Sequence, residues 1–201
     1  MLKVGLTGGL ASGKTFVARL LEELGCHLLQ ADRLGHEVLR PGGEAREDVI
    51  GEFGPGILAG NGEIDRKALG ALVFADPARL KALNALVHPH VFRRREEWFR
   101  ALAGREPAAI GVVEAAIMIE SGSYKRYDKL ILAACPAELQ IARYREREGA
   151  SEDEARARLS HQMPLSEKRK YADYIVDTSG SEEETGRQVR VIYRRLKEES
   201  P

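Results

Sequence analysis

The chain has 201 residues, 43% of them hydrophobic, with 31 basic and 31 acidic side chains and two cysteines. That length suffices for one domain that buries roughly 70% of its unfolded surface. The charge balance predicts no nucleic-acid partner, and no run approaches the ~20 apolar residues of a membrane helix. Cys26 and Cys135 each stand beside an apolar, strand-like run and read as small core residues, not as a disulfide or a metal pair.

Residues 2–6 read as a short buried strand. Gly8-Gly9-Leu10-Ala11-Ser12-Gly13-Lys14-Thr15 follows and matches G-x-x-x-x-G-K-[ST], the P-loop. Val17, Leu20, Leu21 and Leu24 then recur at helical spacing, predicting a helix over 14–24. Glycines let backbone N–H groups turn inward around a polyphosphate, and the helix N-terminus adds a favourable dipole. Lys14 is placed to reach the β- and γ-phosphates, and the Thr15 hydroxyl to hold Mg²⁺. Gly9, Leu10, Ala11, Ser12, Gly13, Lys14, Thr15 and Phe16 are therefore the expected ATP-binding segment. A chain that enters this strand and loop at once leaves no room for a signal peptide, so a cytoplasmic protein is expected.

A second strand is predicted at 26–30 and a helix at 32–39. Further strands are predicted at 110–113, 129–133 and 174–176. Pro136 suits the first position of a helix running to 148, and a last helix covers 182–196. Strand and helix alternate, which predicts an α/β fold with a five-stranded parallel sheet flanked by helices. Two stretches break the rhythm. Residues 41–104 form a largely helical excursion, and 149–172 form an insertion dense in Arg, Lys and Glu. Ligands bind beyond the carboxyl ends of strands in open α/β sheets, and both insertions leave from that edge. The expected organisation is a core of 1–40, 105–148 and 173–201, a helical substrate domain at about 41–104 and a lid at about 149–172.

Several residues are candidates for the chemistry. Asp32 lies just past the second strand, where a carboxylate can accept a substrate proton or orient the metal. It is equally a good helix N-cap. Asp32-Arg33-Leu34-Gly35 matches the D-x-x-G of GTPase switches, but no Asn-Lys-x-Asp motif follows it. Glu114 ends the third strand, as a water-mediated Mg²⁺ holder or as a surface carboxylate. His88 closes an apolar helical run before Pro89, a setting in which a lone histidine is most often structural. Arg143 and Arg147 share a helix face with Arg145 between them. Phosphoryl transfer rewards arginines brought in by closure, although spacing alone, with Glu146 and Glu148 interleaved, reads as a solvated charged helix.

Together these strings resemble the dephospho-coenzyme A kinase family over nearly the whole chain. The residues that carry the resemblance run from Val4 to Thr15, from Ala31 to His36, and from Gly62 to Arg66. They continue at Val73-Phe74 and from Leu80 to Pro89. The most specific string is Gln162-Met163-Pro164-Leu165-Ser166-Glu167-Lys168-Arg169, running on through Ala172-Asp173-Tyr174 to Ser179-Gly180-Ser181. The resemblance implies a P-loop NTPase fold with a substrate-binding insertion and a lid. It implies transfer of phosphate from ATP to the ribose 3′-hydroxyl of dephospho-coenzyme A, the last step of coenzyme A synthesis. On this resemblance Asp32 is the general base, Lys14 binds phosphate, and Arg143 and Arg147 are lid arginines. Asp32, His88 and Glu114 would meet the acceptor, and Thr15 would meet Mg²⁺, in a protein expected to be a monomer without membrane partners. Two positions depart from the family pattern: Gln30 in place of an acidic residue, and Ala116-Ile117-Met118-Ile119-Glu120 in place of Pro-Leu-Leu-Phe-Glu. The competing expectations are a kinase for another small hydroxylated or nucleotide substrate, and a non-catalytic nucleotide-dependent switch.

Overall fold

The structure, a computed structural model, describes residues 1–200 apart from the Phe74 side chain. Two compact units make it up: Met1–Gln30 with Ala101–Pro201, and Ala31–Arg100. Residues 31–40 fall in the second unit.

The first unit is built on five strands, β1 (Leu2–Gly8), β2 (His27–Gln30), β3 (Ile110–Glu114), β4 (Lys129–Ala134) and β5 (Tyr174–Asp177). They form one parallel sheet in the order β2-β3-β1-β4-β5. The central strand β1 is buried along most of its length, which explains its near-continuous apolar run. Helix α1 (Lys14–Glu23) and helix α9 (Glu182–Glu199) supply the apolar face that covers the sheet. Val17, Leu21, Val189, Ile192 and Leu196 join Val4, Leu6, Val112 and Ile131 in one core cluster. Ser181 and Glu184 form a reciprocal capping box that starts α9.

Cys26 and Cys135 are free and buried, and burial pushes the Cys26 thiol up to about 12. Helix α6 (Ala137–Glu148) starts one residue later than the sequence suggests. Pro136 has ψ 150°, outside the helical range, so it precedes the helix instead of opening it. The segment after α6 folds as α7 (Glu152–Ser160) and a short α8 (Leu165–Lys168).

The second unit is helical. It contains α2 (Ala31–Glu37), α3 (Arg46–Phe53), α4 (Arg66–Phe74) and most of α5 (Pro77–Arg105). Asp65 caps α4 by accepting from the Lys67 and Ala68 amides at 2.8 and 3.2 Å. Arg94 on α5 forms a fork to Glu44 at 2.9 and 2.7 Å and reaches Glu37 at 3.2 Å. The helix does not close at His88 but continues through Pro89 to Arg105. Buried Phe99 and Leu102 lie beyond the proline and carry the apolar pattern on.

Candidate active site

The phosphate loop owes its shape to two glycines and one strained alanine. A Cβ on Gly8 would collide with Ser12 Oγ and stand 2.7 Å from the Ala133 carbonyl, so only glycine passes this neighbouring strand. Gly13 has φ 76°, in the left-handed region, immediately before α1 begins. Ala11 has φ 47° and is the one non-glycine residue with positive φ among the described residues. An L-residue in that region costs roughly 1–2 kcal/mol, so the surrounding contacts must hold it. Thr178 helps by donating its hydroxyl to the Ser12 carbonyl at 2.7 Å.

Three predicted residues converge. Glu114 is the last residue of β3 and lies in register with Leu6 of β1. Its Oε1 is 2.5 Å from Lys14 Nζ and accepts from Thr15 Oγ1 at 3.0 Å. Glu114 is 5% exposed, so it is not a surface carboxylate, and its Oε2 is buried with no partner among the described residues. Buried oxygen acceptors of this kind ordinarily carry a partner, and an unpaired carboxylate oxygen beside a hydroxyl suits a hard cation such as Mg²⁺.

The remaining predicted residues lie in different settings. Phe16, with Gly13, Arg143, Thr178 and Gly180, lines a cavity of about 230 Å³. Arg143 donates to the Thr178 carbonyl at 2.8 Å and approaches Cys135 Sγ at 3.7 Å, so it is anchored, not solvated. Arg147 is exposed, pairs with Glu148 at 2.8 Å, and sits 5.9 Å from the Tyr144 ring centre. Asp32 is the second residue of α2, inside its first turn, so it is not the N-cap. Being N-terminal, its carboxylate still favours the helix dipole. The His88 ring packs at a tilt against Phe92, with ring centres 5.6 Å apart, and burial holds its pKa below the usual imidazole value.

Three residues around the loop were not singled out individually by the sequence. Gln162 Oε1 accepts the Leu10 amide at 2.9 Å. Lys168, 1% exposed, pairs with Glu120 at 2.8 Å. Gln140 donates to the Cys135 carbonyl at 3.0 Å, and its amide oxygen fills the space a Cβ on Gly9 would need. The signal for Gln162 and Lys168 was the 162–169 string as a whole; nothing local marks Gln140, which sits on an ordinary helical segment.

A parallel sheet with β1 between β3 and β4, a glycine loop leading from β1 into α1, and a Lys–Thr pair meeting a carboxylate of the next strand define a P-loop kinase. The family model for dephospho-CoA kinase matches residues 2–184. A dephospho-CoA kinase from Geobacillus kaustophilus is 42% identical over 96% of both chains. A Thermus thermophilus protein of known crystal structure superposes with TM-score 0.83 at 36% identity, covering 97% of each chain. A dephospho-CoA kinase from Campylobacter jejuni superposes with TM-score 0.73 at 27% identity, covering 98% of each. The chain belongs to the dephospho-CoA kinase family. Its chemistry is phosphoryl transfer from a nucleotide.

Proposed function

We propose that the protein transfers the γ-phosphoryl group of ATP to the ribose 3′-hydroxyl of dephospho-coenzyme A, releasing ADP and coenzyme A. The observation that carries this reading is the convergence of Lys14 and Thr15 on Glu114, in a chain whose family match spans residues 2–184. The segment from Gly9 to Phe16 binds the nucleotide, its amides and the α1 N-terminus facing the phosphates. Lys14 leaves or shares Glu114 to meet the charge that grows on the transferred group.

Thr15 and the free oxygen of Glu114 would hold Mg²⁺, which when bound neutralises phosphate charge. Asp32 takes the proton of the acceptor hydroxyl, and His88 and Glu114 help to seat the acceptor. Arg143 stays by the nucleotide, while exposed Arg147 moves in when segment 149–172 closes as a lid. The helices of 41–104 form the substrate domain. Among the described residues no helix is long and apolar enough to cross a membrane. A cytoplasmic monomer that works without nucleic acid or membrane completes the reading.

The experiment is to incubate the protein with Mg-ATP and dephospho-coenzyme A beside a panel of nucleoside monophosphates, and to identify the product. Conversion to coenzyme A at ~1–100 per second is expected. Equal or faster phosphorylation of a nucleoside monophosphate would overturn the assignment.

A further inference from the structure

Lys168 is a lysine without solvent. It ends α8, is 1% exposed, and is one of the largest fully buried side chains of the protein. Its ammonium lies 2.8 Å from Glu120 Oε1 and 3.5 Å from the Ala116 carbonyl. A lysine taken out of water carries a desolvation cost that pairing with a partly exposed carboxylate, Glu120, offsets only in part. Its presence calls for a reason, and its neighbours supply one.

Each partner of Lys168 touches a second element of the site. The Ala116 carbonyl also accepts the hydroxyl of Thr7, one residue before the phosphate loop, at 3.2 Å. Glu120 Oε1 also accepts the Met163 amide at 3.2 Å. Next to Met163, Gln162 places its Oε1 2.9 Å from the Leu10 amide, inside the loop. Leu10 in turn precedes Ala11, the alanine in left-handed conformation. Lys168 and Glu120 thus clamp the 162–168 segment against the turn after β3, and Gln162 fastens that segment to the loop beside its strained residue. Strained backbone persists where neighbours over-determine it.

We propose that Lys168 and Glu120 are a positioning pair. They hold Gln162 on Leu10 and so keep the phosphate loop in its nucleotide-binding shape. The proposal rests on the loop being the ATP site, as in the reading above. It does not depend on which acceptor is phosphorylated, so ATP binding tests it separately from the reaction.

The experiment measures the dissociation constant of a non-hydrolysable ATP analogue with Mg²⁺ for wild type, Lys168→Met, Gln162→Ala and the double variant, together with KM for ATP. Lys168→Met and Gln162→Ala should each weaken binding about tenfold, the scale of a lost hydrogen bond from a charged or buried group. Because Lys168 acts through Gln162, the double variant should be no weaker than Lys168→Met alone. KM for ATP should rise in step. A purely structural role would lower the active fraction and kcat and leave KM and the dissociation constant of the folded protein unchanged. Should Lys168→Met fail to fold, Glu120→Ala removes the acceptor of both the Lys168 ammonium and the Met163 amide from the more exposed side and must show the same non-additivity with Gln162→Ala. Unchanged affinity in the single variants, or losses that add in the double variant, would overturn the proposal. The expected weakening and non-additivity in ATP binding, with no turnover of dephospho-coenzyme A by the wild type, would instead count against the assigned reaction alone.

Discussion

Lys14 Nζ rests 2.5 Å from Glu114 Oε1, with the two side chains only 13% and 6% exposed. The loop lysine is thus already engaged by a carboxylate of the adjacent strand. Phosphate oxygens must compete with Glu114 for one ammonium, and Thr15 is bonded to the same carboxylate oxygen at 3.0 Å.

Lys14→Ala should therefore show two effects. The catalytic one is a fall in kcat of at least ~10²-fold, the scale for losing one electrostatic stabiliser of the transition state. The structural one is a loss of about 3 kcal/mol measured without nucleotide, because Glu114 keeps its burial but loses its cation. Turnover and urea unfolding of the same preparation read both. An active variant would remove Lys14 from the phosphate site.

Asp32→Asn isolates the carboxylate. Asp32 lies inside the first turn of α2 and caps nothing, so only the helix-dipole contribution, about 0.3–1 kcal/mol, is at stake in folding. Rate should fall ~10²–10⁴-fold if it serves as general base, and a loose transition state favours the lower end. Melting temperature beside a single-turnover rate is the measurement. Wild-type values for both would send the search for the base elsewhere.

The two lid arginines should part company. Arg147 is exposed and its partner Glu148 is its sequence neighbour, a pair of little weight in stability. Arg147→Ala should melt like wild type yet lose about 10²-fold in kcat, since it serves the transferred group only on closure. Arg143 is tied to the Thr178 carbonyl beside the cavity at Phe16. Its alanine variant should raise KM for ATP more than it lowers kcat. An Arg147→Ala enzyme with unchanged kcat would make that residue an ordinary solvated side chain.

The helical unit carries a pH-dependent element. Hydrogen bonds from Arg94, chief among the causes, hold Glu44 at about 2, below its ordinary 4.5. A carboxyl depressed in the folded state adds stability that is present above about 4.5 and is lost as pH falls towards about 2. Glu44→Gln should cost about 1 kcal/mol at pH 7, since the fork is partly solvent-screened. The gap from wild type should close progressively on acidification through that window. Urea unfolding of both proteins at neutral and acid pH decides, and a gap that stays constant would contradict the assignment.

Much of this was legible in the residues. Glycine spacing, the Lys14-Thr15 pair and the apolar run before them express backbone constraints that hold wherever the loop occurs, so both loop and strand–helix alternation could be read locally. Asp32 could not be resolved between cap and base, because the choice depends on where a helix begins, and α2 begins at Ala31, two residues earlier than an Asp32 cap would set it. Arg143 and Arg147 look alike in sequence; one finds a carbonyl 35 positions away and the other does not.

By itself the sequence determined the phosphate loop, the alternating α/β plan, the buried strands and the family. Those features follow from local chemistry: chain conformation at glycine, period of apolar residues, and a motif that needs its own residues in order. Tertiary structure decided which charges are inside. Glu114 meets Lys14 across 100 positions, and Gln162 meets Leu10 across 152, only because β1 lies between β3 and β4 and the return from α7 passes the loop. Of Lys168 and Lys170, two residues apart in one charged run, the first is buried against Glu120 and the second is exposed beside Glu167. No local pattern separates them, since desolvation and pairing depend on what the rest of the chain brings alongside.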